Sequence, residues 1–321
     1  MGIPVIQLDD VDRDGLVTAL RFACVEVGFF YLDGHGISED LMKRVLRQSE
    51  LLFDLPLDEK CALSDKVMSR GYTAMEEETL DPTCQRKGDT KEGFYLAKDV
   101  PKDSPQFNPA KLMGPNQWPS SEKTPSMVDC EAFRDTMNEY WEECRRVGFR
   151  MQQLLALAIG LDEHHFDDAF ADPICTLRLL HYSIEESKPQ DGIFGCGAHS
   201  DYDLITMLLT DDNPGLQIFT KEGTWIDVPP RPSSFIVNLG DMLERWTNGL
   251  FRSTRHRVLI RGGNSDRYSI PCFYDPHFDT EVKVLDICCS PDNPPKYPVT
   301  TAGQHLVDKY RQTHADFEPE K

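Results

Sequence analysis

Beyond Pro173 the chain breaks into eight short runs rich in β-branched, aromatic and aliphatic residues: TLRLLHYS, LITMLLT, LQIFT, TWIDV, SFIVNL, HRVLI, RYSIPCFY and EVKVLD. Gly, Pro, Asn and Asp stand between the runs, giving each strand a turn in which to fold back on its neighbour. This pattern predicts a sandwich or small barrel. The first half reads differently. An opening strand, IPVIQL, leads to a helix from about Asp12 to Val27, a second strand, GFFYL, and a polar helix from about Glu39 to Phe53 that halts before Pro56. From Arg70 to Pro125, Gly and Pro punctuate short aromatic pieces such as EGFYL, and the stretch reads as loop-rich. A long amphipathic helix is expected over about Cys130 to Ile159, a short one over LDEHHFDDAF, and a last one over about Ala302 to Thr313, followed by a charged, mobile tail. The expected fold is mainly β with flanking helices. It divides into an N-terminal region over 1–125, linking helices over 126–172, a β core over 173–285, and a C-terminal helix and tail over 286–321.

Charge narrows the partners. The chain carries 54 acidic and 34 basic residues, a formal net of -20. Such a field repels phosphate backbones and anionic lipid, so neither nucleic acid nor membrane is expected as a partner. No apolar run is long enough to cross a bilayer, and the opening MGIPVIQLDD has no basic region followed by an apolar stretch, as a secretory signal would. Ten cysteines are scattered without a C-x-x-C pair, which favours free thiols in a reducing cytoplasm over disulfides or a zinc ribbon. A cytoplasmic monomer acting on a small molecule is the expectation.

Two histidines and a carboxylate can hold a metal while leaving coordination positions open. The H-x-D spacing by itself is a weak signal, because four such pairs occur: His165/Asp167, His199/Asp201, His277/Asp279 and His314/Asp316. In a helix, residues two apart diverge, which argues against the pairs beginning at His165 and His314 and leaves them as surface residues. In an extended chain they share a face, so His199/Asp201 and His277/Asp279 both qualify. Only the former has a third ligand on a later strand. His256 follows Asp201 by 55 residues and opens the run HRVLI. That interval holds several strands, enough for a rolled sheet to bring its ends together. By spacing alone, three unrelated loop residues remain an equal alternative. Further on, Arg267 and Ser269 again sit two apart, so a guanidinium and a hydroxyl would face the same way, a pairing suited to a carboxylate. A surface Arg–Glu pair is the competing account.

The motifs HSDYD, HRV and RYS resemble those of the plant and fungal iron(II)- and 2-oxoglutarate-dependent dioxygenases, the family that includes isopenicillin N synthase. IPVIQL, ACVEVGFFYLDGHGI, GLQIF, GTWIDVPP, FIVNLGDMLERWTNGLFRSTRHRV and RYSIPCFYDP are similar to that family's landmarks, in order and over most of the chain. The resemblance implies a distorted double-stranded β-helix, or jelly roll, with iron held by His199, Asp201 and His256 at one open end. It implies that Arg267 and Ser269 grip the distal carboxylate of 2-oxoglutarate and that Tyr182 hydrogen-bonds the same co-substrate. It further implies dioxygen as oxidant, ascorbate as a candidate reductant, and oxidation of a small metabolite, most simply hydroxylation, with release of succinate and carbon dioxide. Leu180 replaces an Asn that many members carry, and Gly34 replaces another near the N-terminus. An oxidase that uses dioxygen without 2-oxoglutarate, a redox-inert metallo-isomerase or hydrolase on a related β-roll, and a non-catalytic receptor on the same scaffold are the competing functions. The loop RKGDTKEGFYL matches one that borders the substrate pocket, so Phe94 and Tyr95 are candidate lining residues. Arg86, Lys87 and Lys91 are weighed as substrate readers against a solvated loop, and the loop is the stronger account. Phe194, Cys196, Trp246, Phe251 and Phe273 are candidates for the cavity wall or, equally, for the core. Cys196 and Cys272 are expected near the metal.

Overall fold

The computed structural model describes residues 2–65, 68–262 and 265–313, without the side chains of 312 and 313. The first half supplies β1 (Val5–Gln7), α1 (Arg13–Glu26), β2 (Phe29–Asp33), α2 (Glu39–Phe53), α3 (Leu57–Cys61), β3 (Ser64–Asp65), β4 (Arg70–Thr73), β5 (Lys91–Leu96) and the long α4 (Cys130–Ile159). Each main helix begins where a side chain can take up a free backbone N–H. Asp12 accepts from Gly15, Ser38 from Leu41, and Asp129 from Ala132. α4 ends on Gly160, whose φ of 102° is a left-handed cap that favours glycine.

The second half supplies β6 (Ile174–Tyr182), β7 (Cys196–His199), β8 (Ile205–Thr210), β9 (Leu216–Phe219), β10 (Trp225–Asp227), β11 (Phe235–Leu239), α5 (Asp241–Trp246), β12 (His256–Val258), β13 (Arg267–Asp275), β14 (Glu281–Val282), β15 (Thr300–Thr301) and α6 (Ala302–Thr313). Nine strands form one sheet in the order β1-β2-β11-β8-β13-β6-β5-β4-β3, and four form a second, β10-β9-β12-β7. Apart from the parallel β1–β2 pair, every strand pairing among the described residues is antiparallel.

Two cores follow from the period of two along each strand. Leu177, Leu179, Ile270, Cys272, Tyr274, Phe235 and Val237 join the larger core with residues of α1, α2 and α4. Their alternates, among them Leu180, Tyr182 and Ile236, form a smaller core with Phe29, Tyr31, Cys196, Ile218 and Val258. Because that cluster draws on both sheets, it is the inside of the roll. α4 presses closely on the outer face: a Cβ on Gly148 would lie 2.7 Å from the Tyr274 ring.

Several local expectations need correction. EGFYL is no loop but the buried strand β5, paired with β6 along its whole length. LDEHHFDDAF contributes only a 3-10 turn over Asp167–Phe170. EVKVLD yields just two strand residues, and these pair with β15 outside both main sheets. HRVLI keeps only three strand residues, His256–Val258. The tail, including His314 and Asp316, lies outside the described residues.

Candidate metal centre and its cavity

β7 and β12 are neighbours in the smaller sheet, and their register sets His199 directly opposite His256. The chain leaves β7 after His199, and Asp201 turns back toward both rings. One ligand atom from each of the three side chains lies within 4.8 Å of the others. Asp201 Oδ1 stands 3.5 Å from His199 Nε2 and 3.6 Å from His256 Nε2. Neighbouring backbone fixes the rings. His199 Nδ1 donates to Gly197 O at 2.8 Å and His256 Nδ1 donates to Thr254 O at 3.1 Å, which turns both Nε2 atoms toward Asp201. A ring nitrogen occupied in this way is the usual support of an imidazole that binds metal through its other nitrogen. Thr206 Oγ1 and Asn238 Nδ2 donate to the remote Asp201 oxygen, Asn238 at 2.8 Å.

The electrostatics match that arrangement. Burial opposes charge on all three groups. At Asp201 the two imidazoles and the Thr206 hydroxyl outweigh it, holding the carboxyl far below its usual range. Burial and His199 push His256 down to about 4, so its ring is neutral near pH 7. Burial also opposes charge on His199, but Cys196 and Asp201 prevail and raise its pKa well above the ordinary value. A proton retained at His199 thus balances the Asp201 carboxylate, the task a divalent cation would take over. One carboxylate and two imidazoles that face inward fit ferrous iron with positions to spare.

Arg267 opens β13 opposite Tyr182 on β6, with Ser269 one alternate position further on. All three are buried. The guanidinium lies 5.0 Å from the centre of the Tyr182 ring and donates through Nη1 to Ser269 Oγ at 3.3 Å. Its Nε has no partner, and no carboxylate of the described residues pairs with it. An unpaired buried cation flanked by hydroxyls suits the far carboxylate of a keto acid.

A cavity reaches the centre, and His199 and Asp201 form part of its wall. Tyr95 and Phe273 line it, as do Leu306 and Tyr310 of α6. The other aromatic candidates belong elsewhere. Phe94 alternates with Tyr95, so it turns to the larger core and meets Phe133 edge-on. Trp246 stacks on Phe166, and Phe251 is fully buried in that same core. Cys196 packs inside the roll, its Sγ 3.8 Å from His199 Nδ1. Phe194 is buried but does not line the cavity. Cys272 faces the helices, away from the metal centre, with its Sγ 3.5 Å from that of Cys175.

Of the loop cations, Arg86 is exposed and Lys87 pairs with Glu76 and Glu185 near the surface. Lys91 overturns the solvated account. It is buried on β5 between Glu78, at 3.1 Å, and Asp89. Asp89 accepts the Gly197 N–H at 2.8 Å, and so holds the strand that carries His199. Glu78 also pairs with Arg178 at 2.7 Å. The reading of the sequence missed this network, although Arg178 shares its parity with Leu180 and Tyr182 and so had to face the roll. The remaining H-x-D pairs form no metal cluster among the described residues: Asp167 bonds His164, and His277 Nδ1 accepts from the Asp279 N–H.

Comparison with known proteins agrees with the geometry. Residues 3–121 match the family described as non-haem dioxygenase in morphine synthesis N-terminal, and 173–276 match the 2OG-Fe(II) oxygenase superfamily. The chain is similar to the 2-oxoglutarate-Fe(II) type oxidoreductase hxnY of Emericella nidulans, 33% identical over 99% of this chain and 90% of the relative. It is 36% identical to kihadalactone A synthase LFS of Citrus sinensis, over 98% of this chain and 93% of that one. Among solved structures, JOX2 in complex with 2OG, Fe and JA superposes with a TM-score of 0.78 at 28% identity, covering 100% of this chain and 87% of that one. The dioxygenase for auxin oxidation in rice superposes at 0.71 with 25% identity, over 97% of this chain and 94% of that one. The chain belongs to the iron(II)- and 2-oxoglutarate-dependent dioxygenases. It is an oxidoreductase of the double-stranded β-helix type, with Fe(II), 2-oxoglutarate and dioxygen as its reaction partners. No helix among the described residues is long and apolar enough to cross a membrane.

Proposed function

We propose that His199, Asp201 and His256 hold the iron of this dioxygenase, that Arg267, Ser269 and Tyr182 bind 2-oxoglutarate, and that the cavity receives a small metabolite which is hydroxylated. The convergence of two inward Nε2 atoms and one carboxylate oxygen within 4.8 Å carries the reading. When bound, the iron–keto acid pair supplies oxidising power from dioxygen, with succinate and carbon dioxide as the co-products. The protein's own part is positional. Gly197 and Thr254 carbonyls keep each imidazole proton on Nδ1, while Thr206 and Asn238 keep the remote Asp201 oxygen occupied and its partner directed inward. Arg267 and Ser269 orient the keto acid by its remote end, and α6 shields the cavity from water. Tyr95 and Phe273 meet the metabolite, which is neither nucleic acid nor lipid surface, and the enzyme works as a cytoplasmic monomer.

The test is succinate formation from 2-oxoglutarate with added iron(II). His199→Ala and Asp201→Ala are expected to abolish it, and full turnover in either variant overturns the metal assignment.

A further inference from the structure

The identity of the metabolite is partly written in how three buried arginines are balanced, two of which, Arg70 and Arg178, line the cavity. Arg70, Arg178 and Arg267 are all at least nine-tenths buried. Arg178 has its counter-charge in Glu78. Arg267 has none among the described residues, its Nε is without a partner, and an external carboxylate is the natural complement. Arg70 resembles Arg267 rather than Arg178. It lines the cavity, and no carboxylate among the described residues forms an ion pair with it. Its Nε lacks a partner, as do those of Arg178 and Arg267.

Main-chain oxygens hold the Arg70 guanidinium in place: Nη1 donates to Met68 O at 3.3 Å and Ser69 O at 3.2 Å, and Nη2 to Leu112 O at 2.7 Å. Those dipoles aim the group but leave its unit charge standing. Burial lowers its pKa, even though Tyr310, Asp65 and Asp99 act in the other direction. Of five guanidinium donors three are used, so two remain, the number a bidentate carboxylate takes. The cavity's lysines are already matched and lie toward its rim, Lys98 with Asp172 and Lys111 with Asp279. On the metal side, Asp201, Asp203 and Asp275 present carboxylates of their own.

We propose that Arg70 anchors a carboxylate of the substrate, so that the metabolite oxidised here is a small organic acid held with its acid group away from the metal. The metal end of the wall offers acidic side chains rather than an unmatched guanidinium, whereas Arg70 lacks only an anion. The uncharged part of the molecule is then presented to the centre. This assignment rests on the dioxygenase reading above.

The experiment uses the full chain with iron(II) and saturating 2-oxoglutarate in the absence of oxygen, followed by the visible charge-transfer band of the iron–keto acid chelate. Phenylacetate and phenylacetamide, alike in shape and different in charge, are titrated against that band. Wild type is expected to bind the acid at least about tenfold more tightly, a difference of one decade in Kd. Arg70→Gln should abolish the preference, and Arg70→Lys should keep part of it. Equal or tighter binding of the amide, a preference that survives Arg70→Gln, or silence from both probes would overturn the proposal. If Arg70→Gln fails to fold, the wild-type comparison still decides. Failure of the chelate band to form at all would instead count against the dioxygenase site, and so the two outcomes are separable.

Discussion

On β6, neighbouring residues live in different chemistry. Leu177 and Leu179 pack into the helix-backed core, while Arg178 and Tyr182 point into the roll. The same division runs through β13, where Ile270 and Cys272 serve the core and the buried Arg267 and Ser269 take the alternate positions. Each face also buries charge, but in different ways. On the helix side, Glu92 has Lys60 at 2.8 Å, the Tyr72 hydroxyl at 2.5 Å and His181 at 2.7 Å. On the cavity side, Arg70 and Arg267 lack carboxylate partners among the described residues. Charges that complete the fold are satisfied within it, and charges left open mark where a ligand belongs. Hydrophobic burial on one face fixes where a strand lies, and the other face inherits rigid positions for chemistry.

That contrast can be broken by experiment, beginning with its largest expected effect. Phe94→Ala empties a fully buried site on the helix side and should cost about 3–5 kcal/mol in denaturant unfolding. The affinity for 2-oxoglutarate in the folded fraction should hardly move; a large rise in KM would show that the two faces are not separable. Arg267→Ala should do the reverse. Loss of hydrogen bonds to a charged group is worth about 1.5–3 kcal/mol, or roughly 10–100-fold in the 2-oxoglutarate KM, with the melting temperature near wild type. Thr206→Val and Asn238→Ala sharpen the metal assignment, since outer partners of metal ligands are worth about 10–100-fold in affinity. An unchanged iron titration in both would remove their supporting role.

The smallest effect concerns Glu92. Burial opposes its charge, but His181, Lys60 and Tyr72 together hold its pKa below the ordinary 4.5. A folded-state value lower than the unfolded one adds stability that is complete above the unfolded pKa and disappears as pH falls through the folded one. Wild type should therefore exceed Glu92→Gln by on the order of 1 kcal/mol at neutral pH. The gap should close as pH falls below 4.5, and a gap that widened there would reverse the sign of this argument.

Much of this organisation is legible without coordinates. The helices over 39–53 and 130–159 follow from caps and a period near 3.6, and that over 302–313 from the period alone, all local properties. The residues later found to cluster at the metal centre stand out because an extended His199-x-Asp201 has a later histidine on a strand. What escaped notice depends on pairing. Cys196–His199 lies in GCGAH, which has little β propensity of its own, and becomes a strand through β12. The charged start of β5, Lys91 and Glu92, is buried only because the folded chain brings each its counter-charge, Glu78 and Asp89 for Lys91 and Lys60 of α3 for Glu92. Trp246 and Phe251 could not be sorted between wall and core, because composition does not say which way an aromatic side chain turns. For Phe94 alternation with Tyr95 settles the matter, but only after both are known to share a strand.

The direct facing of His199 and His256 across β7 and β12 would give an ion bound between them a second duty. It would act as a rivet through two short ribbons that have few hydrogen bonds of their own, locking them against sliding by a residue. A redox-inert divalent ion should thus protect this corner of the molecule from heat and proteases while leaving it catalytically silent, and durability could be measured apart from turnover.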